Sequence, residues 1–236
     1  KEEYAFEQDE LSILSVFENN VRIALENERL IRESVEKERY KNEMLLARNM
    51  QQKLLPQKIP SIFNYSIAAF SIPATEVGGD YYDIVKLKNG DDCILIADVS
   101  GKGITAAFYM AQLKGVVLSK ALESNSVVEL LCNINSVLYK KIESQMFITM
   151  SAVTINNNNN EIHIARAGHM PFLLKSPQKV DKIIRKGIGI GLAKESFFNS
   201  NIEEINIDLK DDDYLIMFTD GLNEIRNKDG LEFGFD

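Results

Sequence analysis

The sequence predicts an α+β fold in which hairpin-like strands combine with one or two helices, behind a long N-terminal helix. Asn89-Gly90 lies between two apolar runs, and Asn-Gly in that setting is the strongest short-range signal for a β-hairpin. The continuous apolar run Tyr214–Phe218 is typical of a strand buried on both faces, although periodicity alone leaves a helix segment open. The helices are predicted near Ile104–Glu123 and Val127–Ile142.

The first 55 residues differ in character from the rest of the chain. From Asp9 to Leu55 there is no Gly or Pro, and charged residues are dense. Apolar residues recur at spacings that favour a long helix with a coiled-coil seam. These are Leu14, Phe17, Val21, Ala24, Ile31, Val35 and Leu45. Glu28 and Glu38 fall on the seam, so we expect imperfect pairing, and Pro56 is expected to end the helix. A parallel dimer helix and an amphipathic helix docked on the surface both fit this pattern.

The predicted hairpin brings two carboxylates together. A two-residue turn at Asn89-Gly90 pairs residues whose numbers sum to about 179, and Asp80 and Asp98 therefore fall opposite or nearly opposite each other. Opposed residues in an antiparallel pair have Cβ atoms roughly 4.5–5.5 Å apart, and like charges there are destabilising. We expect a cation between them, although a four-residue turn through Asp92 would shift the register and weaken the argument.

A third acid follows the run Tyr214–Phe218, in Thr219-Asp220-Gly221. Asp80, Asp98 and Asp220 would each stand at a strand end, and carboxylate oxygens suit Mg²⁺ or Mn²⁺ better than Zn²⁺. Two His and two Cys in the whole chain leave little material for a zinc site. Each acid taken singly also fits an ordinary turn or cap.

Four motifs, in this order along the chain, resemble those of the bacterial metal-dependent protein phosphatases, relatives of the type 2C enzymes in the subgroup of SpoIIE and RsbU. They are Gly78-Gly79-Asp80-Tyr81-Tyr82-Asp83, Asp98-Val99-Ser100-Gly101-Lys102-Gly103, Ala167-Gly168-His169-Met170-Pro171 and Thr219-Asp220-Gly221-Leu222-Asn223-Glu224. The resemblance runs from about Ala47 to Phe235. It implies a sandwich of two mainly antiparallel sheets flanked by helices, with the metals at one edge.

The resemblance also implies a site that holds two Mn²⁺ or Mg²⁺ ions. Asp98 would bridge both ions and the Val99 carbonyl would complete one of the two sites. Asp80 would serve that same site and Asp220 the other. Family members carry a further Asp some tens of residues downstream, whereas this chain stops at Asp236. We therefore expect a phosphatase domain without its C-terminal end, in which the Asp220 site binds metal weakly.

Several other residues have both a functional and a structural interpretation. Lys102 could position a phosphate at a helix N-terminus, but a solvated loop lysine is the simpler interpretation. We interpret His169 as a turn histidine satisfied by backbone, and Asp83 as a structural residue on the strand face opposite Asp80. Glu224 could support the Asp220 loop. The glycines of the 187–192 segment lack the spacing of a dinucleotide motif.

Composition narrows the functional class. The net charge of −8, without a clustered basic patch, argues against a nucleic-acid partner. No apolar run approaches the roughly 20 residues needed to cross a bilayer, and no signal peptide is recognisable. Cys93 and Cys132 are isolated among apolar residues, which predicts reduced cysteines in a cytoplasmic protein.

The resemblance predicts three segments and a function. Residues 1–30 resemble the final helix of a GAF sensor domain, residues 31–56 would form a coiled-coil linker, and residues 57–236 the phosphatase domain. The predicted function is hydrolysis of phosphoserine or phosphothreonine on a regulatory protein of the anti-sigma-factor antagonist type, controlled through a helical homodimer. Two alternatives remain open: an inactive phosphatase-fold scaffold, and a metal-dependent hydrolase of small phosphoesters.

Overall fold

The computed structural model describes residues 8–62, 64–73, 77–143, 145–157, 159 and 161–234. The chain divides into two compact units, residues 1–47 and 48–236. Helix α1, Gln8–Gln52, makes up the described part of the first unit and ends within the second.

Helix α1 is continuous over 45 residues, as its lack of Gly and Pro predicts. Its seam residues are exposed: Phe17 is 66% and Ile31 64% accessible. Ion pairs between side chains one turn apart run along its surface, and the seam residue Glu28 pairs with Arg32. No described helix has a stretch long and apolar enough to span a membrane.

The described residues of the second unit form eight strands and three further α-helices. The strands are β1 Tyr81–Lys86, β2 Asp92–Val99, β3 Ile148–Ile155, β4 Ile162–Ala167, β5 Phe172–Lys175, β6 Val180–Ile183, β7 Glu204–Ile207 and β8 Tyr214–Ile216. The helices are α2 Gly103–Ala121, α3 Val127–Leu138 and α4 Glu195–Asn199. Both predicted helices are therefore present, and each ends earlier than expected.

The strands form two antiparallel sheets, which confirms the predicted fold class. The larger sheet has the order β1-β2-β3-β4-β7 and the smaller one β6-β5-β8. Side chains from both sheets share one apolar cluster, which includes Val153 and Ile164 of the larger sheet and Phe172 of the smaller. Two sheets that bury such a common layer form a sandwich.

Helices α2 and α3 cover the other face of the larger sheet. Met110 and Leu113 of α2 and Leu131 of α3 are fully buried there with Leu95 of β2. The Ser126 side chain accepts a hydrogen bond from the Glu129 N–H and caps the start of α3. The alternation along β2 thus sends one set of residues towards the helices and the other, which includes Asp98, towards the smaller sheet.

Candidate metal centre

The β1-β2 hairpin places Asp80 opposite Asp98. Tyr81 pairs with Ala97, and beyond the end of the strand the Val99 N–H donates to the Gly79 carbonyl at 3.3 Å. In both pairs the residue numbers sum to 178, and the same holds for Asp80 and Asp98. The expected opposition of the two acids is therefore confirmed. The turn itself was predicted wrongly, because Leu87 pairs with Asp91 around a three-residue loop in which Gly90 has φ +88°.

Gly79 lets the two strand ends approach each other closely. A Cβ at this position would overlap the Val99 carbonyl oxygen and lie 2.9 Å from Oδ1 of Asp98. Glycine is therefore required by the contact with β2. The sequence contains this residue within a recognised motif, but the reason for it lies in the neighbouring strand.

Asp220 is brought to the same place by the segment that follows β8. It begins a short 3₁₀ turn, Asp220–Leu222, and its carbonyl accepts the Glu224 N–H at 2.9 Å. The preceding residue, Thr219, donates from Oγ1 to Oδ2 of Asp80 at 3.2 Å. The role of Thr219 was not predicted, since 139 residues separate the two partners.

The electrostatics show that these acids act on one another. The pKa of Asp98 is raised to about 7, first by burial and then by the negative charges of Asp80, Asp220 and Glu224. The pKa of Asp80 is also raised, by burial first and by Asp220, while the hydrogen bond from Thr219 opposes the shift. The acids thus form an acidic cluster, defined here as Asp80, Asp98, Asp220 and Glu224.

The chemistry of the acidic cluster fits a hard divalent cation. Its donors are carboxylate oxygens, the ligands that Mg²⁺ and Mn²⁺ prefer, and a cation would relieve the mutual repulsion that raises the pKa of Asp98. Across the described ranges, no three His, Cys, Asp or Glu side chains converge tightly enough to enclose an ion. The acidic cluster therefore has suitable chemistry for a divalent cation, but its carboxylates do not lie close enough together to enclose one.

The end of α1 is hydrogen-bonded to the segment that carries Asp80. The Gln51 Nε2 donates to the Gly78 carbonyl at 2.6 Å, and the Gly78 N–H donates to Oε1 of Gln51 at 3.1 Å. Nothing in the sequence pattern predicted this contact. It joins a helix to a backbone segment two residues before a candidate metal ligand.

His169 is buried, 4% exposed, and is held differently from the prediction. Its Nδ1 lies 2.7 Å from Oγ1 of Thr149, a side-chain partner that the prediction of a backbone-satisfied histidine did not include. Burial lowers the pKa of His169 to about 4, while the Phe218 backbone raises it. His169 is therefore neutral at pH 7.

Two further predictions concern residues next to the acidic cluster. Asp83 lies on the opposite strand face from Asp80, as expected, and accepts hydrogen bonds from the Tyr81 hydroxyl at 2.8 Å and from Nζ of Lys114 at 2.9 Å. Lys102 is exposed and precedes α2 without a side-chain capping bond. Its position fits the solvated-lysine interpretation.

The glycine-rich segment after β6 packs backbone against backbone. A Cβ at Gly187 would overlap the Arg166 carbonyl, and Gly168 has φ +71° with its Cβ position only 2.8 Å from the Gly189 nitrogen. Ile190 pairs with Ile148 of β3. These glycines therefore allow close chain packing.

A sandwich of two antiparallel sheets with acids at the ends of its strands is the fold of the type 2C (PP2C) phosphatase domains. The SiaA-PP2C domain of Pseudomonas aeruginosa superposes with a TM-score of 0.65 at 17% identity, over 84% of this chain and 79% of that one. The PP2C phosphatase domain of SpoIIE from Bacillus subtilis gives a TM-score of 0.53 at 23% identity, over 62% and 42%. The chain belongs to the stage II sporulation protein E (SpoIIE) family, whose model matches residues 88–236. The family predicted from the four motifs is thereby confirmed.

Curated relatives are longer than this chain. The phosphoserine phosphatase RsbU of Bacillus subtilis is 32% identical over 193 residues, which are 81% of this chain and 56% of RsbU. Protein IcfG of Synechocystis is 28% identical over 96% of this chain and 39% of its own length. The chain thus spans about half or less of the relatives it matches.

Proposed function

We propose that this chain is a metal-dependent serine/threonine protein phosphatase in which Asp80, Asp98 and Asp220 hold Mn²⁺ or Mg²⁺. The observation that supports this most directly is the placement of the three acids: Asp80 lies opposite Asp98 in the hairpin and accepts a hydrogen bond from Thr219, the residue before Asp220. Membership of the SpoIIE family and the 32% identity to RsbU, a phosphoserine phosphatase, support the same activity.

The proposed metal ligands would have different roles. Asp98 would bridge two ions, Asp80 and the Val99 carbonyl would hold one of them, and Asp220 the other. Thr219 orients Asp80 through its hydroxyl. When bound, two divalent cations would neutralise charge on the phosphate oxygens and lower the pKa of a water molecule. The protein itself then needs no covalent nucleophile.

The test is hydrolysis of a phosphoserine peptide and of an aryl phosphate, with and without Mn²⁺. Asp98→Asn should lower kcat/KM by at least about 100-fold, since it removes the charge shared by both ions. Asp211→Asn, an exposed acid away from the acidic cluster, is the matched control and should leave the rate unchanged.

Two other functions remain candidates. A binding scaffold with the phosphatase fold is favoured if Mn²⁺ produces no turnover of either substrate. A hydrolase of small phosphoesters is favoured if nucleotides are cleaved and phosphopeptides are not. Among the described residues, the carboxylates of the acidic cluster do not enclose a site for an ion, and this observation supports the scaffold as an alternative.

The substrate class is the finer part of the proposal. A phosphoserine or phosphothreonine on a regulatory protein of the anti-sigma-factor antagonist type follows from the family resemblance alone. A cytoplasmic location belongs to the same proposal, because such partners are intracellular regulators. Incubation with a set of phosphorylated antagonists, read out by phosphate release, tests it.

We further propose that α1 forms a parallel homodimer and regulates the acidic cluster. The exposed seam of α1 supports the pairing, since an unpaired stripe that includes Phe17, Ile31 and Val35 leaves apolar surface in water. Residues 1–30 as the last helix of a GAF sensor and 31–56 as the linker belong to this proposal. A monomer in light scattering at tens of micromolar, together with activity unaffected by deletion of residues 1–45, would remove it.

A further inference from the structure

His169 lies between two of the segments that carry the acidic cluster. On one side its Nδ1 contacts the Thr149 hydroxyl at 2.7 Å. Thr149 of β3 is the register partner of Asp98 of β2, so their Cβ atoms stand roughly 4.5–5.5 Å apart on one face of the sheet. The imidazole therefore fixes the side chain that lies beside the proposed bridging ligand.

On the other side His169 meets the segment that follows β8. The backbone of Phe218 raises the pKa of the imidazole, against the larger lowering effect of burial. Phe218 is followed by Thr219, which donates to Asp80, and then by Asp220. A displacement of Phe218 would therefore move the donor to one acid and the backbone of another.

The turn that carries His169 is itself held in place. Gly168 is bridged to Met150 of β3, and its left-handed backbone packs against Gly189. The Arg166 guanidinium donates to the carbonyl oxygens of His169 and Arg185. An imidazole on such an anchored turn has little freedom to relax if a neighbour moves.

We infer that His169 is a positioning residue of the metal centre: from its anchored turn the imidazole holds the Thr149 hydroxyl beside Asp98, and so helps to set the spacing of the acidic cluster. This inference rests on the proposed function. A neutral imidazole has one donor and one acceptor nitrogen, which suits a hydroxyl on one side and a backbone group on the other. Nδ1 is the nitrogen with a hydrogen-bond partner here; Nε2 is buried and makes no hydrogen bond of normal geometry among the described residues.

The experiment is calorimetric titration of Mn²⁺ into the metal-free full chain. Outer-shell partners of metal ligands typically change metal affinity by about 10–100-fold when they are removed. We expect His169→Phe and Thr149→Val each to weaken Mn²⁺ binding by about tenfold or more. The double variant should lose less than the product of the two single losses, because both changes break one contact.

Two variants separate positioning from a general loss of packing. His163→Phe is the matched control: this histidine of β4 has its ring between the carboxylates of Glu161 and Glu204, so the substitution should leave Mn²⁺ affinity unchanged. His169→Asn keeps a polar atom near Nδ1 and should restore most of the affinity lost in His169→Phe. If His169→Phe does not fold, the Mn²⁺ affinity of Thr149→Val, which replaces a hydroxyl by a methyl group, decides the question.

The outcomes distinguish this inference from the proposed function. Mn²⁺ affinity within twofold of the wild type in folded His169→Phe or in Thr149→Val would overturn the positioning role, even if the unfolding temperature in EDTA falls. A wild-type chain that binds no Mn²⁺, or binds it as well after Asp98→Asn, would overturn the proposed metal site and this inference with it.

Discussion

The side chain of Gln51 and the backbone of Gly78 are joined by two hydrogen bonds, one in each direction, at 2.6 and 3.1 Å. Gln51 belongs to the last turn of α1, and Gly78 is separated from Asp80 only by Gly79. Gly79 in turn accepts the Val99 N–H. The end of the helix thus shares a hydrogen-bonded path with both strands of the hairpin that carries Asp80 and Asp98.

This path predicts that Gln51 contributes to metal-dependent activity. Gln51→Ala removes both hydrogen bonds and leaves the Gly78–Asp80 segment without its attachment, so we expect Mn²⁺-dependent kcat/KM to fall about tenfold, the equivalent of about 1.4 kcal/mol. Gln52→Ala, one residue away with an exposed side chain, is the control. Equal rates for the two variants would show that the attachment has no influence on the acidic cluster.

The two adjacent glycines before Asp80 should respond very differently to substitution. Gly79→Ala places a Cβ on the Val99 carbonyl and against Asp98, whereas the nearest described atom to a Cβ at Gly78, in Pro73, is 3.9 Å away. We expect Gly79→Ala to lower the free energy of unfolding by about 1–3 kcal/mol and to weaken Mn²⁺ binding. Gly78→Ala should change both by little, as measured by urea unfolding and calorimetry.

The raised pKa of Asp98 predicts a pH-dependent stability of the metal-free protein. Because the folded-state pKa is about 7 and the usual value is 3.8, the stability linked to this group is complete below pH 3.8 and is lost as the pH rises through 7. Asp98→Asn removes the ionisation and should therefore stabilise the protein increasingly between pH 4 and pH 8. We expect a gain of about 1–2 kcal/mol at pH 8, after discounting for solvent screening.

Urea unfolding in EDTA at pH 5 and pH 8 measures this effect. Asp211→Asn, which alters an exposed acid, should show the same small difference from the wild type at both pH values. An Asp98→Asn variant that is less stable than the wild type at pH 8 would contradict the assigned cost of burying the Asp98 charge beside Asp80, Asp220 and Glu224.

The hairpin could be predicted because its information is local. Strand alternation and a turn signal fix which residues face each other, and Asp80 and Asp98 are linked through a short loop. The turn type was missed by one residue because Gly90 takes a left-handed conformation within a three-residue loop. The predicted two-residue turn gave paired residue numbers that sum to 179, whereas the observed three-residue loop gives 178. The observed register therefore places Asp80 and Asp98 more directly opposite each other.

The supporting contacts could not be predicted, because they join distant parts of the chain. Gln51 and Gly78 are 27 residues apart, Thr149 and His169 are 20 apart, and Thr219 and Asp80 are 139 apart. The unexpected partners Gln51, Thr149 and Thr219 are common polar residues whose positions follow no periodic or charge pattern. Only the packing of the two sheets and the end of α1 brings them together.

The ion pair between Lys114 and Asp83 predicts a stability defect without a catalytic one. Asp83 is 9% exposed in its side chain, so Lys114→Met would leave a buried carboxylate with only the neutral donors Tyr81 and Ile84. Removal of one partner of a buried pair is strongly destabilising, and we expect a loss of about 3 kcal/mol in urea unfolding. Because Asp83 faces away from Asp80, kcat/KM of the folded variant should stay within about twofold.

Lys120→Met on the same helix provides the matched control. Lys120 has the same side-chain exposure as Lys114, 23%, but its partner Glu123 is 56% exposed. An ion pair with so much access to water contributes little, so the control should lose no more than about 0.5 kcal/mol. If both lysine variants lose the same stability, burial of the Asp83 carboxylate is not the cause. A parallel loss of kcat/KM in Lys114→Met alone would mean that the Asp83 face of β1 transmits strain to Asp80.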